Sequence, residues 1–366
     1  MEANSSAPPP ATTLSTSAGD VARTFFGKYG LILVLLFMPV YYGIQDLSDE
    51  GDLSRLGLNL FSGLSNGTII ALIAIGYTLV YGIIELINFA HGDVFMIGSF
   101  TASQFWSGLL GVGIATGLWG TVGAIVASLV VAMLVCGVMN VLIEKVAYKP
   151  LRNAPKLAPL ITAVGMSFIL QNVGLLWIGG SQASVDDLVW AQKEIVSVLG
   201  ISIKADDLLA IGVTIPLVVV MITFINTTRL GKAMRATAQD PEAARLMGIN
   251  VDTTISATFF IGGMMAGAAG LIYALYQTTI WYFQGFQGGL LAFTAAVMGG
   301  IGNLRGAVIG GLIIGCIQQI CNNRPELPFV GFGGADWTPA VVFVYLILIM
   351  VFRPQGLFGE ETREAG

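Results

Sequence analysis

The chain has 366 residues, of which 55% are hydrophobic and only 11% charged, and its mean hydropathy is +0.80. Apolar stretches of roughly 20 residues recur along it, so the composition excludes a soluble protein and predicts an all-α integral membrane protein. The net charge of −5, from 17 basic and 22 acidic residues, leaves no basic surface for nucleic acid.

The chain begins with a polar segment. Residues 1–22 are rich in Ser, Thr, Ala and Pro and have no apolar periodicity, which predicts a disordered cytoplasmic tail. A signal peptide would begin with positive charge, whereas Arg23 and Lys28 follow this tail. We therefore predict a transmembrane domain over residues 23–358, with a coupling loop at 227–252, and a second cytoplasmic tail at 359–366.

Eight apolar runs predict membrane crossings, and the charges between them predict their direction. The runs are near 29–44, 58–84, 94–112, 118–143, 158–178, 208–226, 254–276 and 339–352. Lys and Arg concentrate in 144–156 and 229–245, whereas Asp and Glu dominate 45–55 and 179–207. The basic segments are predicted to be cytoplasmic and the acidic ones external. With eight crossings, the predicted sides of these segments agree with one another only if 288–321 enters the membrane from outside and returns to the outside.

A polar stretch interrupts the apolar runs between residues 85 and 93. Glu85, Asn88, His91 and Asp93 crowd into it. A charge at the bilayer centre costs about 2.5–3.5 kcal/mol, so these groups lie either at the cytoplasmic boundary, which the topology favours, or along a wet cavity. A lone helical histidine is more often structural than a proton relay, and Asp93 can equally cap the next helix.

The loop NTTRLGKAMRATAQDPEAARLMGINVD, residues 226–252, is a charged segment between two apolar spans. Asp240 can cap a helix that has Pro241 in its first position. Two alanines and Gly248 keep the helix slim enough for a groove on another subunit, where Arg235, Glu242 and Arg245 can orient it through charge pairs. An ordinary solvated loop helix is the alternative interpretation.

The stretch 288–321 contains two apolar pieces of about 14 residues, each roughly 21 Å as helix and therefore shorter than the hydrocarbon core of about 30 Å. Gly299, Gly300, Gly302, Asn303 and Arg305 separate them. This pattern predicts a Gly-broken pair of half-helices. Two broken segments are typical of a transport pathway, in which helix N-termini near Gly92 and near Arg305 or Gly306 would favour a substrate carboxylate.

Enzyme motifs are missing from the sequence. It contains no H-E-x-x-H zinc motif and no G-x-x-x-x-G-K-[ST] phosphate loop, and its three cysteines have no paired spacing. We therefore predict a protein that is not an enzyme, with no catalytic or metal-binding residues and no cofactor of its own. Any ATP and Mg²⁺ would be bound by a separate subunit.

From about Leu58 to Phe358 the chain closely resembles the permease subunit of the branched-chain amino-acid ABC importers. Four strings carry the resemblance: NGTIIALIAIGYTLVYGIIELINFAHGDVFMIGSF, IEKVAYKPLRNAPKLAPLITAVGMSFILQN, RATAQDPEAARLMGINVD and AFTAAVMGGIGNLRGAVIGGLIIG. The polar tail and the acidic stretch 48–52 fall outside the family pattern. The resemblance implies a multi-pass protein of the bacterial inner membrane, a second related permease, two cytoplasmic ATPase subunits and a periplasmic substrate-binding protein.

The same resemblance implies roles for individual residues. The residues expected to meet the ATPase are Arg235, Glu242, Ala243, Ala244 and Gly248. Those expected along the translocation pathway are Asn66, Asn88, His91, Gly92 and Asp93, to which the broken hairpin adds Gly299, Gly300 and Asn303.

The predicted function is ATP-driven import of branched-chain amino acids by alternating access. A permease for urea or short amides is an alternative, because related permeases use nearly the same strings. An ion-coupled carrier or channel and a structural scaffold are rivals from other classes. A carrier needs intramembrane charge, which these spans nearly lack beyond Glu85, Asp93 and Arg305, and neither rival explains the coupling loop.

Overall fold

The computed structural model describes residues 18–49, 51–111, 117–152, 154–155, 157–186, 194–198, 201–324 and 334–359. In these ranges the α-helices are α1 (Ala18–Asp49), α2 (Ser54–Ile84), α3 (Ala90–Gln104), α4 (Leu118–Ile143), α5 (Leu157–Ile178), α6 (Ala205–Thr227), α7 (Arg229–Gln239), α8 (Pro241–Leu246), α9 (Val251–Gln277), α10 (Gln284–Gly299), α11 (Leu304–Asn322) and α12 (Gly334–Phe352).

Short elements complete the fold. A π-helix, Phe105–Leu109, continues α3, and a π-helix, Glu144–Tyr148, followed by a 3₁₀ turn, Lys149–Leu151, continues α4. The strands are β1 (Ala183–Ser184), β2 (Glu194–Val198), β3 (Ile201–Lys204) and β4 (Thr279–Ile280). They form two antiparallel pairs, β1 with β4 and β2 with β3. β1, β2 and β3 lie within the acidic segment 179–207, and β4 follows α9.

Eight helices in the described residues are long and apolar enough to cross a membrane, which confirms the predicted fold class. The set differs from the prediction in one member. Leu304–Asn322 belongs to it, whereas the predicted crossing at 94–112 does not. The reason is composition, because Asp93, Ser99, Thr101, Ser103 and Gln104 make this segment less apolar than the eight spans.

The predicted tail is shorter than residues 1–22, because α1 already begins at Ala18. The three prolines that oppose helix formation lie at positions 8–10, before that start. Residues 1–17 and 360–366 lie outside the described residues.

Helices α2 and α9 lie at the centre of the bundle. In their most apolar windows 72% and 78% of residues are buried, against 22–28% in α4, α5, α6 and α12. The outer helices expose large apolar side chains such as Ile161, Leu176 and Val351, as expected for surfaces that face lipid. A movement of α9 would therefore change its contacts with the helices packed around it.

Glycines bring α2 and α11 into backbone contact. Gly63 and Gly67 on α2 face Gly311 and Gly315 on α11, and both pairs have the spacing of a small-xxx-small packing motif. A Cβ built at Gly311 would lie 2.6 Å from the Cα of Ala71, and one at Gly67 would lie 2.8 Å from the Cα of Leu312. This seam therefore has no room for even one methyl group on either helix.

We expect Gly311→Ala to destabilise the protein by about 1–3 kcal/mol, the usual effect of overpacking, because the methyl group meets backbone that cannot rotate away. The matched control is Gly212→Ala on α6, where nothing lies within 4 Å of the new methyl group. There the better helix propensity of alanine should leave stability unchanged or raise it. Thermal unfolding in detergent measures both. Equal melting temperatures for the two variants would contradict the close backbone packing of α2 against α11.

Candidate functional site

The chain breaks between α2 and α3 and turns back into the bundle. α2 ends at Ile84, Glu85 adopts a left-handed conformation with φ of 51°, and α3 begins only at Ala90. The returning segment places the ring of His91 4.8 Å from that of Tyr77, two turns before the end of α2. The first turn of α3 therefore lies inside the bundle, whereas Glu85 stays exposed.

Asp93 is fully buried, and its carboxylate is held by α5. Ser167 Oγ donates a hydrogen bond to Asp93 Oδ2, and Gln171 Nε2 donates to Ser167 Oγ at 3.0 Å. Ser167 lies near the middle of the 22-residue helix α5, about 15 Å from its start. Of the two positions that the sequence left open, the cytoplasmic boundary therefore does not describe Asp93 or His91, and both lie at the depth of the bundle interior.

Asn88 and Asn66 have partners on other helices. Asn88 Nδ2 donates to Asn140 Oδ1 at 3.2 Å, and Asn140 Nδ2 donates to the carbonyl of Phe259 at 2.6 Å, so the returning segment is tied to α4 and α9. Asn66 Nδ2 donates to Gln318 Oε1 at 2.8 Å across the glycine seam. These contacts give both asparagines a structural role in this conformation.

The N-termini of α3 and α10 meet beside Asp93. A Cβ built at Gly92 would lie 2.6 Å from the Cα of Gly289, and one at Gly285 would lie 2.8 Å from the Cα of Asp93. Gly92, which follows the first predicted break, therefore contacts α10, the first helix of the predicted Gly-broken pair. Asp93 supplies a negative charge in the first turn of α3, where the helix dipole favours it.

An apolar groove runs from this point along α2 and α10. Tyr77, Thr78 and Tyr81 line one wall, and Phe293, Ala296 and Val297 line the other. Rings and aliphatic groups dominate it, with the hydroxyls of Tyr77, Thr78 and Tyr81 as polar groups. Such a lining suits an apolar side chain with few polar contacts.

The turn between α10 and α11 is closed by the C-terminal segment. Asn303 Oδ1 accepts from the N–H groups of Arg305 and Gly306 at 3.0 and 3.1 Å, and Asn303 Nδ2 donates to the carbonyl of Phe358 at 2.8 Å. Leu357 N donates to the carbonyl of Met298 at 2.8 Å. We name residues 357–359 with this turn the C-terminal clasp.

The clasp corrects one prediction. A substrate carboxylate was expected at the N-terminus opened by Arg305 or Gly306, but the side chain of Asn303 occupies those N–H groups. Gly299, Gly300 and Asn303 also lie toward the other end of α10, since Gly299 is ten residues or about 15 Å beyond Gly289, which Gly92 contacts. The structure thus separates the predicted pathway residues into the α3–α10 junction, the clasp and the glycine seam that holds Asn66.

The coupling helix α8 begins and ends as its sequence predicts. Asp240 Oδ1 accepts from the N–H groups of Glu242 and Ala243 at 2.9 and 3.0 Å, and Pro241 is the first helical residue. Gly248 has φ of 82°, and Ile249 N donates to the carbonyl of Ala244 at 3.0 Å, which is the pattern of a Schellman motif. Gly248 therefore stops the helix.

The exposed surface at α8 differs from the predicted one in three residues. Glu242 and Ala243 are exposed, whereas Ala244 is only 3% exposed and packs against its own chain. Leu246 and Met247 are 89% and 82% exposed and were missed by the sequence analysis. Two consecutive large apolar residues in a charged loop were the signal that could have identified them. An exposed apolar pair on a polar segment marks a contact surface.

The coupling segment is fastened at both ends. Arg235 donates to the carbonyl of Ile225 at 2.9 Å and to Asn226 Oδ1 at 3.0 Å, which ties α7 to the end of α6. At the other end Arg152 bridges the buried Glu144 and Asp252, the second residue of α9. These contacts tie α7 to the end of α6 and the start of α9 to the segment that follows α4.

Comparison with known proteins gives one family and several close relatives. The family described as branched-chain amino acid transport system / permease component matches residues 59–351. The high-affinity branched-chain amino acid transport system permease protein LivH of Escherichia coli K12 is 39% identical over 307 residues, covering 83% of this chain and 96% of that protein. BraD of Pseudomonas aeruginosa, described in the same words, is 38% identical over 314 residues with the same coverage. A probable permease of this kind from Methanocaldococcus jannaschii is 27% identical, covering 88% and 96%.

Proposed function

The chain belongs to the family of permease components of branched-chain amino acid transport systems, and from that premise we propose that it forms the membrane pathway of an ATP-driven importer for leucine, isoleucine and valine. The observation that carries this proposal is helix α8, which presents Glu242, Ala243, Leu246 and Met247 on an exposed surface of a membrane-spanning bundle. A carrier or channel that works alone has no use for such a surface.

The groove between α2 and α10 supports hydrophobic amino acids over urea. Phe293, Ala296 and Val297 offer an apolar wall that a branched side chain fills, whereas urea has only polar edges that this wall would leave unpaired. We place the translocation pathway at this groove, with the α3–α10 junction and Asp93 at its inner end. Asn88 and Asn66 then shape the pathway from outside it, whereas Ile301 of the clasp lines the groove.

The partners follow from the family and from the charges. Family membership implies ATPase subunits and a substrate-binding protein, and we propose two ATPase subunits, a second related permease and a periplasmic binding protein. From the basic segments 144–156 and 229–245 we propose that α8 lies on the cytoplasmic side of the bacterial inner membrane, with the N-terminus on the same side. ATP and Mg²⁺ would then be held by the ATPase subunits.

The mechanism couples ATPase closure to the pathway through α8. When the ATPase subunits close, α8 moves as a rigid helix, since its caps fix both of its ends. Residues 247–250 join α8 to α9, so that movement reaches α9, which lies at the bundle centre. The groove between α2 and α10 then opens alternately to either side.

The test is uptake by the complex with its ATPase and binding-protein partners reconstituted in vesicles. We expect uptake of leucine, isoleucine and valine that requires both ATP and the binding protein, and no uptake of urea above background. Uptake of urea with equal efficiency would favour the amide-transport alternative. Uptake driven by an ion gradient without ATP would overturn the proposed function.

A further inference from the structure

A polar pocket lies at the end of the bundle opposite to α8. It has a volume of about 250 Å³ and is formed by the start of α6 and by the ends of α9 and α11, with Ser62 of α2. Helix α6 begins at this pocket and ends beside α7, 23 residues or about 35 Å away. With the orientation proposed above, the pocket opens to the external side, where substrate arrives.

The floor of the pocket is an unpaired carboxylate. Asp207 is only 1% exposed, and neither of its carboxylate oxygens accepts a hydrogen bond within the described residues. Its neighbour Asp206 is 5% exposed, and Asp206 Oδ1 accepts from the N–H of Asp207 at 2.9 Å. A buried carboxylate without a partner is costly, so its two free oxygens point to a ligand that donates hydrogen bonds and carries positive charge.

Position at a helix start does not account for this arrangement. Acidic residues are favoured in the first turn of a helix, and that effect explains Asp206, whose oxygen contacts the backbone. It does not explain why the carboxylate of Asp207 faces the pocket, whose wall also carries the hydroxyl of Tyr276. The rim supplies the rest of a binding site, because Gln319, Asn322 and Lys204 line the same pocket.

We propose that this pocket binds the ammonium group of a free amino acid on Asp207, with the side-chain amides of Gln319 and Asn322 facing its carboxylate. This inference rests on the proposed function, which it deepens. The lining is almost entirely polar, so the branched side chain finds no apolar wall and remains at the mouth. The pocket therefore recognises the charged head common to amino acids, and an inorganic monovalent cation shares the chemistry of its floor.

The test measures leucine binding to the purified complex with its ATPase subunits, without nucleotide and without the binding protein. Isopentylamine, which keeps the ammonium group of leucine, should compete, whereas 4-methylpentanoate, which lacks it, should not. Alanine should compete about as well as leucine. This comparison uses the unaltered protein and so does not depend on the folding of a variant.

Two variants locate the site. Asp207→Asn should weaken leucine binding by about tenfold or more, because it removes a charge-assisted hydrogen bond. The control Asp186→Asn changes an exposed carboxylate that precedes the same helix, and it should bind leucine as the unaltered protein does. Unchanged leucine binding by Asp207→Asn, or equal competition by 4-methylpentanoate, would overturn the proposal.

Two further outcomes distinguish the ammonium group of an amino acid from an inorganic cation and from a protein partner. Binding of radiolabelled sodium that depends on Asp207 and is not displaced by leucine would assign the pocket to an inorganic cation and overturn the ammonium site. Weaker docking of the binding protein in Asp207→Asn, with leucine binding unchanged, would overturn it in favour of a protein contact. ATP-dependent uptake by the unaltered complex at saturating leucine tests the proposed function separately.

Discussion

We expect Ala243→Trp to abolish ATP-dependent uptake while the protein remains inserted in the membrane. Ala243 is exposed on α8 beside Leu246 and Met247, so an indole at this position contacts nothing within its own chain. It stands instead on the surface that we assign to the ATPase subunit. Because interfaces are packed as densely as protein interiors, one large side chain at their centre prevents docking.

Uptake into reconstituted vesicles and co-purification of the ATPase subunit measure this effect. Ala243→Ser changes the same position without adding bulk and should retain both. Val219→Trp adds the same ring to a lipid-facing position of α6, which is 57% exposed, and should also retain both. Normal ATP-dependent uptake by Ala243→Trp would show that this part of α8 does not contact the ATPase subunit.

The second large effect is expected at the buried ion pair between Asp46 and Arg324. Both Arg324 Nη atoms donate to the carboxylate of Asp46 at 2.7 Å, and the two residues are 2% and 5% exposed. The guanidinium carbon also lies 4.6 Å from the centre of the Tyr42 ring. Asp46→Asn leaves the arginine charge buried without its counter-ion, so the free energy of unfolding should fall by about 3–5 kcal/mol.

Thermal unfolding in detergent measures this loss. Replacing both residues, as in Asp46→Asn with Arg324→Gln, removes the uncompensated charge and should recover much of the stability. The control is Lys149→Gln, which breaks a 3.6 Å pair with Asp252 whose side chains are both 49% exposed, and it should change stability by less than about 1 kcal/mol. A loss in Asp46→Asn no greater than in Lys149→Gln would show that the buried pair does not hold α1.

Features encoded by local chemistry were predictable from the sequence. The limits of α8 follow from Asp240, Pro241 and Gly248, because a cap or a stop depends on residues within one turn of it. The break at Gly299 to Asn303 was predictable for the same reason. The crossing helices were also predictable, because the bilayer sets their length.

Features that depend on distant contacts were not predictable. No residue near Asn303 in the sequence indicates that its side chain will donate a hydrogen bond to the carbonyl of Phe358. Likewise, Asp46 lies 278 residues from Arg324. The depth of Asp93 depends on the left-handed turn at Glu85, which sends the chain back into the bundle. Which of Ala244 and Leu246 faces outward is likewise decided by packing against α7 and α9.

The clasp has a consequence for biogenesis. Leu357 and Phe358 donate their backbone N–H groups to the carbonyls of Met298 and Gly299, which precede them by 59 residues in the chain. The loop between α10 and α11 therefore has no cover until these residues have been synthesised. A premature stop codon before Leu357 would leave that loop open to proteases.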